Sequence, residues 1–180
     1  MMTGQEKRLA IRASGVSEFV IETTLVREQQ QQLRDAITQK QQKDRGFFLY
    51  PSSARAVAFT RRVFHVLAKE LVLSGESLYV APLRNYMKAL LETDGDWLAR
   101  AESAKMIFVS DFFERGYSKS PYAEEKTYEF VYWCKDMASQ GKLISLQADT
   151  PLLECHWWPE PFLHLIEDTV SPYVVGMPTK

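Results

Sequence analysis

The stretch that decides the fold is Gly46-Phe47-Phe48-Leu49-Tyr50, which continues as Pro51-Ser52-Ser53-Ala54-Arg55-Ala56-Val57-Ala58. Its first five residues form a short apolar run, typical of a strand that is covered on both faces. From Ala54 to Leu73, apolar residues recur at intervals of three and four, which predicts a long helix. A buried strand that passes through a short loop into a helix is the first half of a strand–helix–strand unit.

The same alternation continues towards the carboxyl terminus. Further strands are predicted at 77–81, 105–110, 143–146 and 173–175, and further helices at 82–91, 122–139 and 161–168. Strands that alternate with helices imply crossover connections and a parallel sheet. We therefore predict an α/β fold in which a parallel sheet lies between two helical layers.

The chain before this stretch is predicted to be a helical lead-in. Helices are expected at 5–13 and 27–43, with an apolar docking segment at 16–25 between them, and Ser14-Gly15 suits the end of the first helix. We expect one domain over residues 1–180, made of a lead-in at 1–45 and an αβα core at 46–180, without a separate lid domain.

Length and composition agree with one globular domain. The chain has 180 residues, of which 46% are hydrophobic and 25% charged, which excludes a disordered tail and a disulfide scaffold. Two cysteines, a start without an apolar signal core, and no apolar run of the ~18–20 residues that span a bilayer predict a cytoplasmic protein away from membranes.

The net charge of −1 conceals an asymmetry between the two halves of the chain. Residues 1–90 contain 14 Lys and Arg against 8 Asp and Glu, which gives +6, whereas residues 91–180 contain 8 against 15, which gives −7. Such a distribution either steers association with a charged partner or reflects solvated faces of opposite sign.

In an open parallel sheet, ligands bind outside the carboxyl ends of the strands, so the loop after the first strand is the place for nucleotide chemistry. The order and spacing of the elements resemble the AAA+ domains of DnaC-type helicase loaders and IstB-type transposition ATPases. Gly46–Tyr50 is similar to the strand that enters the P-loop of that family. Arg8-Leu9-Ala10-Ile11-Arg12-Ala13-Ser14-Gly15-Val16 is similar to the element that precedes its core. The resemblance implies a P-loop NTPase-like fold with a Walker B strand and a sensor strand.

The P-loop pattern itself has lost its defining residues. A P-loop needs glycines that let backbone N–H groups close around phosphates, a lysine for the β- and γ-phosphates, and a hydroxyl for Mg²⁺. Pro51 and Ala56 stand at the two glycine positions, Val57 at the lysine position and Ala58 at the hydroxyl position. The loop of Pro51, Ser52, Ser53, Ala54, Arg55, Ala56, Val57 and Ala58 is therefore predicted to be vestigial, with no cofactor bound.

Two further parts that the resemblance implies are also altered. The Walker B strand ends in Ser110-Asp111, so serine stands where the metal-organising carboxylate belongs, and Asp111 by itself is expected to be a loop hydrogen-bond acceptor. Gln147 or Asp149 could serve as the polar residue of the sensor strand. No Lys or Arg lies between Lys142 and Lys180, so an arginine finger is missing there. We expect no catalytic residue, with Asp111 and Ser110 as vestiges, and no ATP hydrolysis.

Other binding sites are suggested by residue type alone. Candidate DNA contacts are Arg55, Arg61, Arg62, Arg84 and Lys88, with Tyr86 as a stacking partner. Because the pI is about 6.3, only weak and salt-sensitive binding to single-stranded DNA is expected. Trp157, Trp158 and Phe162 are either a protein-interface anchor or a packed corner. Cys155-His156 lacks metal-ligand spacing, so no metal is expected.

The leading hypothesis is a catalytically inactive AAA+-like accessory protein that contacts protein or DNA in replication or transposition. Its partner would be a replicative helicase, a transposase or a related factor, and the protein itself a monomer or dimer. One alternative is a weak nucleotide-binding ATPase of the same family that uses Asp111. Another is a binding or inhibitor protein outside DNA metabolism.

Overall fold

The computed structural model describes residues 3–20, 23, 31, 46–92, 95–112, 121–150 and 170–175, and only the backbone of 18, 122–124 and 170–175. The helices are α1 (Gly4–Ala13), α2 (Val57–Leu73), α3 (Leu83–Glu92), α4 (Gly95–Ser103) and α5 (Pro121–Ser139). The strands are β1 (Gly46–Pro51), β2 (Leu78–Pro82), β3 (Met106–Phe112), β4 (Leu143–Ala148) and β5 (Val170–Val175). Single 3₁₀ turns cover Glu18–Val20 and Ala54–Ala56. In this part of the chain, no helix is long and apolar enough to cross a bilayer.

The five strands form one sheet in the order β2-β3-β4-β1-β5, and every neighbouring pair is parallel. β1 lies between β4, where Phe48 pairs with Leu146, and β5, where the register runs from Gly46 opposite Val170 to Pro51 opposite Val175. A Cβ on Gly46 would lie 1.3 Å from the carbonyl oxygen of Ile144. Only a glycine therefore lets β1 begin this close to β4.

Side chains of the strands alternate between two hydrophobic layers. Phe47 and Leu49 point towards α1 and α2, whereas Phe48 points towards α3 and α5, and all three are at most 3% exposed. Both faces of the sheet are thus covered, as the uninterrupted apolar sequence of β1 requires. The predicted three-layer αβα arrangement is confirmed.

The layer formed by α3, α4 and α5 has an aromatic centre. Tyr86 is fully buried, and its ring centroid lies 4.9 Å from that of Trp97, 5.7 Å from Phe130 and 5.4 Å from Trp133. The sequence-based assignment of Tyr86 as a stacking partner for DNA is therefore wrong, because an amphipathic helix turns this ring into the core.

Most element boundaries fall within two or three residues of the predicted ones, but one helix was missed. α4 begins at Gly95 in the turn-like sequence Asp94-Gly95-Asp96, and the packing of Trp97 on Tyr79 and Tyr86 fixes it in place. The helix predicted from Ala54 instead starts with a 3₁₀ turn and becomes α-helical at Val57. Of the helix predicted at 27–43 only Gln31 is described, and it is helical, whereas the helix predicted at 161–168 lies outside the described residues.

The lead-in docks against β2 and α2. Thr3 and Glu6 form a capping box that starts α1. At its end, the carbonyl of Ser14 accepts a 2.7 Å hydrogen bond from the Val80 amide. Gly15 has a φ of +78°, and a Cβ there would lie 2.1 Å from the Val80 carbonyl oxygen, so glycine is required at this contact. Lys69 of α2 completes the attachment by donating a 2.6 Å hydrogen bond to the Thr23 carbonyl.

His65 lies at the junction between α2 and the lead-in. It is 8% exposed, its ring packs edge-on against those of Phe19 and Phe64, and its Nδ1 faces the Ser17 amide at 3.5 Å. Burial, together with the positive charge of Arg61, lowers the pKa of His65 to about 4. The imidazole is therefore neutral in the folded protein at neutral pH.

Acidification should destabilise the protein through His65. Since the unfolded chain binds this proton with a pKa of about 6.5, the stabilisation is complete above that value and is lost as the pH falls towards 4. The free energy of unfolding should decrease by about 2 kcal/mol between pH 7 and pH 5 from this residue alone. Urea denaturation at the two pH values should show that decrease in the wild type, and it should be absent from His65→Gln. Equal decreases in both proteins would contradict this assignment.

Candidate functional site

Polar side chains converge at the carboxyl end of the sheet. β3 ends in Ser110-Asp111-Phe112, β4 ends in Ala148 and is followed by Asp149, and α2 begins directly after β1 on the same edge. The sequence prediction had placed the site at this edge, because parallel strands all end there. The residues it named, Ser110, Asp111, Gln147 and Asp149, are adjacent in the structure.

A β-bulge orients Asp111. Between β3 and β4, Val109 pairs with Leu146 but Phe112 pairs with Ala148, so β3 contains one residue more than its partner. Asp111 has a φ of +57°, a left-handed conformation that Asp tolerates better than most side chains do. The bulge directs the carboxylate of Asp111 towards the start of α2.

Gln147 stabilises this bulge from inside the sheet. It is fully buried, and its Oε1 accepts a 3.1 Å hydrogen bond from the Asp111 amide, which the bulge removes from the regular ladder. Its Nε2 donates to the Ala148 carbonyl at 2.6 Å and to Oδ1 of Asp149 at 2.9 Å. The opposite orientation of the amide would place an NH₂ group against the Asp111 N–H, so the network determines the orientation of the side chain.

Arg61 of α2 joins the two carboxylates. Its Nη2 lies 2.9 Å from Oδ1 of Asp111 and also donates a hydrogen bond to Oδ2 of Asp149. The Asp111 and Asp149 side chains are 26% and 15% exposed, whereas that of Arg61 is 43% exposed. One guanidinium nitrogen thus lies between two carboxylates, each at the end of a different strand.

The charge of Asp111 is under opposing influences. Burial, the largest of them, raises the pKa of Asp111 above its ordinary value, and the neighbouring Asp149 raises it further. Arg61, the hydroxyl of Ser110 and the more distant Arg84 all lower it. Oδ1 of Asp111 is shielded from solvent and accepts no hydrogen bond from the residues that the structure describes, so Arg61 balances its charge by proximity alone.

The loop between β1 and α2 has an ordinary backbone. Residues 51–58 are all described, and none of them has a positive φ. The amide of Ala56 is bonded to the carbonyl of Ser53 at 2.9 Å within the 3₁₀ turn, and Pro51 carries no amide hydrogen. Ser53 makes no side-chain cap. The loop therefore lacks the alternation of right- and left-handed residues that turns successive N–H groups towards an anion.

The five candidate DNA contacts differ in whether their charges are compensated by nearby carboxylates. Arg55, Arg62, Arg84 and Lys88 are all exposed, and Lys88 also lies 3.8 Å from Glu92 on the same helix. Arg61 faces Asp111 and Asp149, so its charge is compensated by two carboxylates.

Two other predicted features receive no structural description. The candidate interface residues Trp157, Trp158 and Phe162 lie outside the described residues, as does Cys155-His156. Within the described part of the chain, no group of three or more His, Cys, Asp or Glu side chains is placed to hold a metal ion.

Solved structures of replication proteins share this arrangement. DnaA from Aquifex aeolicus with AMPPCP bound matches with a TM-score of 0.63 and 11% identity, over 92% of this chain and 52% of that one. A DnaI structure matches with a TM-score of 0.60 and 11% identity, over 95% of this chain and 92% of that one. This is the AAA+ core fold. The predicted DnaC/IstB-like, P-loop NTPase-like architecture is thereby confirmed.

The likeness is one of fold. Domain III of DnaA from Thermotoga maritima matches with a TM-score of 0.61 and 9% identity, over 87% of this chain and 66% of that one. The chain spans about half the length of the Aquifex DnaA structure. No protein-family model matches the sequence, and no curated protein matches it either.

The contact of Arg61 with the carboxylates was missed at the sequence level. Arg61 had been grouped with DNA contacts, and Asp111 had been treated as a carboxylate without a partner. A signal was present, because Arg61 follows Val57 by four residues and so lies one turn farther along the same face of α2. In this fold, that face of α2 lies towards the ends of β3 and β4.

Replacement of Gln147 should show how strongly the bulge depends on it. Gln147→Leu leaves the Asp111 amide without its acceptor in a buried site, so we expect a loss of about 1–3 kcal/mol in the free energy of unfolding. Gln147→Glu keeps an oxygen for that amide but sets a second oxygen against Asp149 and the Ala148 carbonyl.

The two variants should differ in their response to pH. In chemical denaturation, the stability of Gln147→Glu relative to the wild type at the same pH should recover as the pH falls, since protonation restores a donor towards Asp149. Gln147→Leu should show no such recovery relative to the wild type. Stability within about 0.5 kcal/mol of the wild type for Gln147→Leu would show that the bulge does not need this side chain.

Proposed function

We propose that this protein is a catalytically inactive AAA+-like accessory protein that acts by contacting other macromolecules of DNA replication. The observation that carries the proposal is the loop between β1 and α2. In an AAA+ core this loop would receive the phosphates, yet here it has no left-handed residue and no lysine, and its Ala56 amide is already bonded to Ser53.

The carboxylates at the strand ends support the same proposal. Hydrolysis of ATP requires Mg²⁺ to bridge the phosphates and a residue to orient the attacking water. Ser110 stands at the metal-organising position, and the charge of Asp111 is compensated by Arg61 of the same chain. Both features support a protein that does not hold a nucleotide-bound metal.

The replication role is proposed from the kind of protein that shares the fold. One matching structure is of a replication initiator DnaA bound to AMPPCP and single-stranded DNA, and another is of DnaI. For this chain we propose a replicative helicase or a related replication factor as the partner. A role in transposition, with a transposase as the partner, is the second candidate. The exposed Arg55, Arg62 and Arg84 would add a weak contact to single-stranded DNA.

Nucleotide should leave the stability of the protein unchanged. A ligand at 100 times its Kd stabilises a folded protein by about 2.7 kcal/mol, so binding of ATP with Mg²⁺ at millimolar concentration would raise the melting temperature visibly. We expect no shift with ATP or AMPPCP in differential scanning fluorimetry. A clear shift that disappears in Asp111→Ala would instead establish the alternative, a weak ATPase that uses Asp111.

The partner should be found among replication factors. Biolayer interferometry of the immobilised protein with the purified replicative helicase of its own host should give saturable binding that is independent of ATP. Binding to a single-stranded oligonucleotide should be weaker, and it should decrease steeply with salt because it rests on a few arginine–phosphate contacts. Binding to transposase alone would move the role to transposition. Binding to none of the three would leave the proposal without support and favour a function outside DNA metabolism.

A further inference from the structure

We propose that Arg61 is a built-in counter-cation, which occupies the position between Asp111 and Asp149 where a divalent cation would otherwise bind, and so closes the site from within. The inference rests on the proposed function, because it assumes that no nucleotide competes for this position. In this role, a single side chain keeps the two carboxylates together without a ligand.

The geometry of Arg61 is the first support. Its Nη2 contacts Oδ1 of Asp111 and also donates to Oδ2 of Asp149, so these two carboxylate oxygens face the same point in space. A single positive centre at the position of Nη2 is therefore within reach of both. Mg²⁺ in proteins is commonly held by only one or two carboxylates and retains several waters, and Mn²⁺ accepts the same oxygen ligands.

The burial of Asp111 is the second support. Its Oδ1 is shielded from solvent and accepts no hydrogen bond within the described residues, so positive charge at this position is its available compensation. Two carboxylates that share a site repel each other unless one is protonated or a cation lies between them. Arg61, in the second turn of α2, supplies that positive charge. Because the guanidinium is part of the chain, no ion has to be bound from solvent.

The same contact connects three elements of the fold. Arg61 lies in α2, Asp111 lies in the bulge at the end of β3, and Asp149 directly follows β4. Gln147 then links the two carboxylate residues through the Asp111 amide and Oδ1 of Asp149. Removal of the guanidinium should therefore loosen the strand ends and at the same time create affinity for a small divalent cation.

The test compares Arg61→Ala with the wild type and with Arg62→Ala, which removes the exposed neighbouring arginine of the same helix. In differential scanning fluorimetry, Arg61→Ala should melt several degrees lower than Arg62→Ala in the absence of metal. Addition of MnCl₂ at ten times its Kd should raise the melting temperature of Arg61→Ala by roughly 3–6 °C. The wild type and Arg62→Ala should not respond.

Direct counting of bound metal provides a second readout. Electron paramagnetic resonance of Mn²⁺ titrated into Arg61→Ala should show one additional bound ion per chain relative to the wild type. Asp149→Asn in the Arg61→Ala background should lose it, and Arg61→Lys, which keeps a positive charge at the site, should not gain it. Equal Mn²⁺ binding by the wild type and Arg61→Ala would overturn the proposal.

Failure to fold is also informative. If Arg61→Ala is unfolded alone but folds with Mn²⁺, the proposal is supported in its strongest form. If Arg61→Ala is unfolded with and without metal, the same experiments are carried out on Arg61→Gln. If Mn²⁺ neither binds to Arg61→Gln nor stabilises it, the proposal that a cation can replace the guanidinium is overturned. These outcomes are separate from the nucleotide experiment, because an ATP-induced shift in the wild type contradicts the proposed function whatever Arg61→Ala does.

Discussion

The structure depends on the burial of both faces of a parallel sheet. Parallel strands cannot be joined by tight turns, so each connection must cross the sheet, and helices that cross it cover both of its faces. Phe48 and Phe108 lie on opposite faces, and each is fully buried, which contributes about 2–3 kcal/mol per side chain from the hydrophobic effect. Because all strands are parallel, their carboxyl ends lie at the same edge of the sheet, and the residues at those ends are brought close together. The polar site is a consequence of the apolar core.

At that edge, an irregularity in the β-ladder determines where the Asp111 carboxylate lies. In the bulge, the Asp111 amide does not take part in the regular ladder between β3 and β4. The side chain of the buried Gln147 provides the acceptor for this amide instead. Left-handed backbone at a residue other than glycine persists where surrounding contacts determine it, and such positions concentrate at functional sites. Here those contacts are a hydrogen-bond network and an ion pair, both made within the chain.

The proposed inactivity rests on two features at the carboxyl edge of the sheet. The loop after β1 has no residue with a positive φ, and Arg61 of α2 contacts the carboxylates of Asp111 and Asp149. Ion pairs at the protein surface contribute little stability by themselves, typically about 0–1 kcal/mol, and this pair is partly exposed through Arg61. Its importance here lies in charge balance, since without it a buried carboxylate oxygen would face a second carboxylate. The fold thereby remains intact in a protein whose surfaces, rather than whose nucleotide chemistry, carry the proposed function.

The sequence by itself determined the strand–helix alternation, the three layers and the edge at which the site lies. Each of these follows from hydrophobic periodicity and from the geometry of parallel strands, which are local or topological rules. The resemblance to DnaC/IstB-type proteins also pointed to Ser110, Asp111, Gln147 and Asp149, as residues at the ends of the Walker B and sensor strands. Sequence-based prediction placed Tyr86 at the surface and overlooked both α4 and the pairing of Arg61, since packing between elements distant in sequence decides these features. Trp97 holds α4 through contacts with Tyr79 and Tyr86, and Arg61 meets Asp149 across 88 positions of the chain. Only the tertiary structure brings such residues together, because the direction of a side chain relative to another element is not encoded in local spacing.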